Sequence, residues 1–175
     1  LTLTETGVDT GLFSAEMEMD AIKHTKPDVN INVPEDYATI QEAVDAAKDG
    51  DVVVIGKGVF KENLFVSGKN LKLFGAGSLR SVLDGKNVGP VMSIKDSIVE
   101  LNGLTLTNGK AVEINLPGHG GEYGGGIIIV TSTCSINNCN IYSNNCGGMY
   151  IHSSSLGCII SNNKIYSNGG VGCGS

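Results

Sequence analysis

The chain has 175 residues, enough for one domain with an appendage, and 41% hydrophobic against 17% charged residues allow a sizeable core. Twenty-five Gly and only 5% aromatic residues fit a turn-rich β protein rather than a helical one. A net charge of −6 argues against nucleic acid or an anionic membrane surface as partner, and no apolar run approaches the roughly 18 residues of a membrane-spanning helix.

The chain begins with Leu1 and carries no leader pattern, as expected of a mature or excised product. Its opening, LTLTETGVDTGLF, alternates apolar residues with Thr and turns at Gly7 and Gly11. That pattern reads as a strand, a tight connection and the start of a second strand. Two strands alone are marginal in water, so the segment needs a partner or is a flexible lead. LTETGVDTGLF is similar to a strand-turn-strand phrase in the β-sandwich repeats of large prokaryotic extracellular surface proteins. The resemblance implies an extracellular or cell-surface location. Ala21–Asn32, with Lys26–Pro27, reads as a linker, giving an extended β segment over 1–30 and a main domain over 31–175.

Thr39-Ile-Gln-Glu42 is a capping box, and Ile40, Ala43, Val44 and Ala47 follow as one apolar stripe. The spacing predicts a short helix over about Ile40–Lys48, with Gly50 as its C′ residue. A strand follows in DGDVVVIGKGVF. The whole stretch VPEDYATIQEAVDAAKDGDVVVIGKGVFKENLFVSGKNLKLFGAG (Val33–Gly77) resembles the opening of right-handed parallel β-helices of the pectin-lyase-like superfamily. The resemblance implies that the helix plugs the first coil, where apolar side chains and strand edges would otherwise lie open.

Further strands are predicted at Val52–Ile55, Asn63–Val66, Leu71–Phe74, Ser81–Leu83, Val91–Ile94, Ile98–Leu101 and Leu104–Thr107, separated by glycines. Lys110–Gly125 exceeds an ordinary turn and reads as a loop bulging from one coil. Then Gly126–Asn145 is repeated as Gly148–Gly169, with a two-residue insertion in a Ser-rich turn and an offset of 24 after it. Each copy is one coil of about three short strands, and stacked copies share a core. The fold class expected is all-β: a parallel β-helix of about five coils with a capping helix, preceded by an extended β segment. Ile141 and Ile165 should point inward, Ile165→Ala costing roughly 2–5 kcal/mol. Asn138 over Asn162 and Asn144 over Asn168 are either amide ladders or plain turn residues.

Many members of the resembled superfamily cleave or de-esterify acidic polysaccharides, using Asp clusters, Asp-bound calcium, or Asp with Arg. Their motifs are missing here: there is no Asn-Thr-Asp and no Asp-Asp, and the only Arg is Arg80. Gly118-His119-Gly120 matches a Gly-His-Gly motif of the polygalacturonase branch but lacks its partner carboxylates. After Glu122 there is no Asp or Glu, and Lys164 is the only Lys or Arg. Glycoside hydrolysis of the usual kind needs two carboxylates about 5–10 Å apart. Glu62, Asp84, Asp96 and Glu100 do not fall at stacking intervals and read as solvated surface charge. No catalytic residues, cofactor or metal are expected, and His119, Glu122 and Tyr123 remain as candidate binding residues.

All five Cys lie between Cys134 and Cys173, without a CxxC pair and with His152 the only nearby His, so no zinc site is expected. Cys134 and Cys158 are coil equivalents: either a disulfide or two stacked buried thiols. The expected function is a non-catalytic structural or adhesive module of an extracellular surface protein or filament. It would associate head to tail, using Leu1, Leu3, Val8, Leu12, Phe13 and Cys173. A carbohydrate-active β-helix with a polysaccharide partner is the alternative.

Overall fold

The computed structural model describes residues 4–5, 13–14, 29–113 and 121–170. Near the N-terminus, Thr4–Glu5 (β1) and Phe13–Ser14 (β2) pair antiparallel, Thr4 opposite Ser14, as a two-stranded sheet of their own. The expected two strands are present; the connection between them lies outside the described residues. Leu1, Leu3, Val8, Leu12 and Cys173, and the side chain of Phe13, lie outside the described residues.

The main body is a β-solenoid of about five turns. Asn30–Val33 (β3) comes first, then the helix Ile40–Ala46 (α1). Coils follow as Val52–Ile55 (β4), Gly58–Phe60 (β5) and Leu64–Ser67 (β6), then Asn70–Gly75 (β7), Ser81–Asp84 (β8) and Met92–Lys95 (β9). The third coil is Ile98–Asn102 (β10), Thr105–Thr107 (β11), a hairpin of Val112–Glu113 (β12) and Glu122–Tyr123 (β13), and Ile127–Val130 (β14). Thr133–Asn137 (β15), Asn140–Tyr142 (β16) and Met149–Ile151 (β17) make the fourth, and Ile159–Ser161 (β18) with Lys164–Tyr166 (β19) belong to the fifth.

Equivalent strands stack in parallel into three sheets. The first runs β3-β4-β7-β10-β15-β18, the second β5-β8-β11-β16-β19 and the third β6-β9-β14-β17. The offset of 24 holds, with Ile141 opposite Ile165 and Tyr142 opposite Tyr166; before the Ser-rich turn it is 22, Ile127 facing Met149. Alternation within each strand sends one set of side chains inward. Phe60, Leu83, Leu106, Ile141 and Ile165 form one inward column of the second sheet, and Val53, Leu73, Leu101, Ile136 and Ile160 one of the first. Ile141 is fully buried, but Ile165 is 47% exposed, because no described strand stacks on its far side. That lowers the cost expected for Ile165→Ala.

The corners require left-handed backbone, and they repeat it coil by coil: Gly68, Asp96 and Thr131 between third and first sheets, Gly103, Asn138 and Asn162 between first and second. Gly and Asn accept that conformation most easily. Serines bridge the former corner, where Lys69 N donates to Ser97 Oγ (3.2 Å), Ser97 N to Ser132 Oγ (3.1 Å) and Ser132 N to Ser155 Oγ (3.3 Å). One expected amide ladder forms: Asn144 Nδ2 donates to Asn168 Oδ1 at 3.0 Å. Asn138 instead donates to Asn102 Oδ1, one coil back, at 3.4 Å.

The capping box is present. Thr39 Oγ1 accepts from Glu42 N at 3.2 Å, and the Glu42 carboxylate accepts from Thr39 N at 3.1 Å. The first full coil also holds the helix at both ends. Glu62 accepts from Ile40 N (2.9 Å) and Gln41 N (3.0 Å), and Lys69 Nζ donates to the carbonyls of Val44, Asp45 and Ala47 at 2.7–2.9 Å. Gln41 pairs its side-chain amide with both backbone groups of Phe65, so α1 covers the edge of β6. The helix ends earlier than expected: its C-cap is Ala47 in extended conformation, and Gly50 is a turn residue at φ 90°. The stretch read as a linker ends in a strand, β3, paired with β4. The loop Lys110–Gly125 contains the β12–β13 hairpin, Val112 opposite Tyr123.

Candidate functional site

Columns of outward side chains decide what chemistry a stacked fold can offer, because each coil contributes one residue per column. On the third sheet Phe65, Ser93, Ile128 and Tyr150 form such a column, without a carboxylate. On the first sheet Lys72, Glu100, Ser135 and Ile159 stack, and on the second Asp84, Thr107, Tyr142 and Tyr166. Each of these holds one carboxylate.

Of the acids named from sequence, Glu62, Asp84 and Asp96 serve backbone caps and corners. Glu62 holds the start of α1, as above. Asp84 accepts from Lys86 N at 2.9 Å, and Asp96 accepts from the Thr131 hydroxyl. Asp49 accepts from Asn70 N at 2.9 Å, and the buried Asp51 from Lys48 N at 2.9 Å and Val29 N at 3.2 Å. Asp36 accepts from Asn32 N and Nδ2, and the backbone bond first, then the side-chain bond, lower its pKa. Among the described residues no three of His, Cys, Asp and Glu gather in a group that could hold a metal ion. Arg80 is exposed, just before β8.

Two open grooves adjoin, one at the corner between third and first sheets and one along the strands of the first sheet. One, of about 440 Å³, is lined by Asp49, Lys69, Asp96 and Thr131; the other, of about 280 Å³, by Lys72, Glu100, Ser135 and Ile159. They share Asn70, Ile98 and Thr133. The polar groups of the larger one are committed: Lys69 to the helix carbonyls, Asp49 to Asn70 and Asp96 to Thr131.

The hairpin makes a different surface. Tyr123 lies against Tyr150 with ring centroids 4.5 Å apart, and Tyr150 lies 6.4 Å from His152. Ile128 is covered there, being 6% exposed. Gly124 permits this closeness at φ 62°, since a Cβ would stand 2.7 Å from Ile128 and 2.9 Å from Tyr150. Burial and then the neighbouring Tyr123 push the Tyr150 hydroxyl up. Ser154 N donates to His152 Nδ1 at 3.2 Å, which places the imidazole proton of a neutral ring on Nε2. Of the candidate binding residues, Tyr123 is therefore in an aromatic cluster. Glu122 pairs through its backbone with Glu113, its side chain lying outside the described residues, as does His119. Tyr150 and His152 were not singled out as binding residues from sequence; the hairpin that brings Tyr123 to them leaves no periodic signal. A second pair, Tyr142 and Tyr166, stacks at 5.2 Å on the second sheet, legible beforehand as repeat equivalents.

Cys134, Cys139 and Cys158 are free thiols, and Cys146 is disulfide-bonded. The structure thus has Cys134 and Cys158 as stacked thiols rather than as a disulfide.

No known family model matches the chain, and no curated protein is detectably similar to it.

Proposed function

We propose that this protein is a non-catalytic structural or adhesive β-helix module of the pectin-lyase-like kind, belonging to an extracellular surface protein or a self-assembling filament. The observation that carries this is the use made of the carboxylates: Glu62, Asp84 and Asp96 hold a helix end and corners, and no outward column described above sets two carboxylates in adjacent coils. Acid–base cleavage of a glycosidic bond needs two carboxylates about 5–10 Å apart; Glu113 and Glu122, opposite each other in the hairpin, are the juxtaposition on which the proposal is tested. Expected, then, is no release of unsaturated or reducing sugar ends from pectin, alginate or chondroitin. Release that Asp84→Ala or Glu122→Ala abolishes overturns the proposal. Self-association head to tail through the N-terminal segment belongs to the same reading. Deleting Leu1–Asp20 should then shift the chain to smaller species in size-exclusion chromatography and electron microscopy; a deletion that leaves assembly unchanged excludes it.

The Tyr123–Tyr150–His152 cluster favours a second reading, a carbohydrate-binding β-helix. Aromatic rings with polar edges suit the apolar faces and hydroxyls of a sugar. Titration with pectin, alginate and chondroitin oligosaccharides, in the parent and in Tyr150→Ala, separates the readings: binding lost with the ring supports the second, and no binding supports the first.

A further inference from the structure

Cys134 and Cys158 continue an inward column of the first sheet, in which Leu71 faces Val99 and Val99 faces Cys134. The register beyond them, Ser135 opposite Ile159 and Ile136 opposite Ile160, sets the two cysteines opposite each other. Neighbouring strands lie about 4.8 Å apart, within the roughly 4.4–6.8 Å that a disulfide spans between Cα atoms. Cys158 Sγ donates to Ser132 O at 3.7 Å, on the strand connection that leads into Cys134. Cys134 is buried and Cys158 half-buried. Cys146 in the same chain is already disulfide-bonded, and structural disulfides belong to oxidising compartments.

We propose that Cys134 and Cys158 are an oxidisable pair that closes into a disulfide clasp between the fourth and fifth coils, with a low-molecular-weight disulfide such as oxidised glutathione as oxidant. Cys158, the more accessible, reacts first. Its thiolate attacks one sulfur of the small disulfide; a bond forms at Cys158 Sγ, the small S–S bond breaks, and one small thiolate leaves and takes up a proton. Cys134 then gives its proton to solvent and attacks Cys158 Sγ, expelling the second small thiolate. Two protein thiols are oxidised and one small disulfide is reduced to two thiols. In the dithiol, burial and then the adjacent Cys158 push the Cys134 thiol up to about 12; once Cys158 is a mixed disulfide burial alone holds it up, and the second step is the slow one. The clasp would fasten β18, whose Ile159 is 62% exposed, to the better-buried β15. This inference is independent of whether the module binds a glycan.

The test uses the full chain. It is incubated with oxidised glutathione, alkylated after unfolding, digested without reduction and mapped by mass spectrometry. Expected is a peptide pair joining Cys134 to Cys158, with Cys139 alkylated, and a Tm raised by roughly 5–15 °C over the untreated chain. Cys134→Ala should stop at a lasting glutathione adduct on Cys158 and lose the gain in Tm. The proposal is overturned if Cys134 and Cys158 are both alkylated after oxidation. It is overturned equally if the parent stops at the adduct, or if Cys158 joins a second chain.

Discussion

Ile141→Ala and Ile165→Ala remove the same atoms from the same column, one coil apart, and should differ severalfold in cost. Each removes three carbons, worth about 0.8 kcal/mol apiece when fully withdrawn from water. Ile141 is fully buried, between Leu106 and Ile165 in register, so the loss comes in full and leaves an enclosed cavity. The expected cost is roughly 3–5 kcal/mol. Ile165 is 47% exposed. About half the transfer energy is lost and water can enter the space, so about 1 kcal/mol is expected. At roughly 2–4 °C per kcal/mol for a chain of this size, Ile165→Ala should lower Tm by a few degrees and Ile141→Ala by about 6–20 °C. Thermal melts followed by circular dichroism give the comparison. Urea titrations check that the m-value is unchanged, because a stacked array can lose coils separately. If Ile165→Ala costs as much as Ile141→Ala, the fifth coil is packed as fully as the fourth, and the exposure assigned to it is wrong.

Glu62→Ala should free two amides at the start of α1 and cost about 1–2 kcal/mol in urea unfolding; combined with Thr39→Ala the loss should be less than additive, since both act on one helix end. Asn144 accepts from Gly109 N at 2.8 Å and donates to Leu106 O at 3.1 Å while 1% exposed, so Asn144→Ala should cost roughly 2–4 kcal/mol by the same assay. The reduced chain should lose stability as pH rises between about 9 and 12, because Cys134 ionises in the unfolded chain from its ordinary value of 9.0 but in the fold only near 12. Melts across that range should be flatter for Cys134→Val, with a residual slope from Cys139, whose thiol burial also pushes up.

What could be read from the sequence was what is local or strictly repeated. Thr39 and Glu42 lie three residues apart, and their capping box can be seen without knowing anything else. Tyr142 and Tyr166 keep the offset of 24, so their stacking follows from the repeat itself. Contacts across unequal coils left no such trace. Glu62 caps a helix 22 residues earlier through backbone amides, which carry no sequence signal. Asn138 finds Asn102 at a separation of 36, because the hairpin lengthens the third coil and breaks the period. Strand β5 was missed because Gly58-Val-Phe60 holds a single β-branched residue after glycines. Strand β3 was missed because Asn-Ile-Asn-Val is short and its partner lies beyond the helix. The glycines opening each repeat copy have a packing reason: a Cβ on Gly126 would stand 2.1 Å from the Gly148 carbonyl oxygen.

The columns also limit what this solenoid can become. A carboxylate on one coil acquires a partner about 4.8 Å away only if the neighbouring coil carries another at the same register. Above Glu100 stands Ser135, and above Asp84 stands Thr107. Replacing Ser135 or Thr107 with Glu or Asp would set two like charges side by side, and at the buried Thr107 would also take a charge out of water; both are destabilising. No charge of opposite sign lies beyond either position, where Ile159 and Tyr142 follow. The same geometry rewards identical neutral groups: amides bond along the axis, serines bridge corners, and aromatic rings stack. The fourth and fifth coils, with Asn144 over Asn168 and Tyr142 over Tyr166, have taken that course. Stacking thus favours a neutral, self-bonded surface, and the hairpin that lays Tyr123 over Tyr150 departs from it.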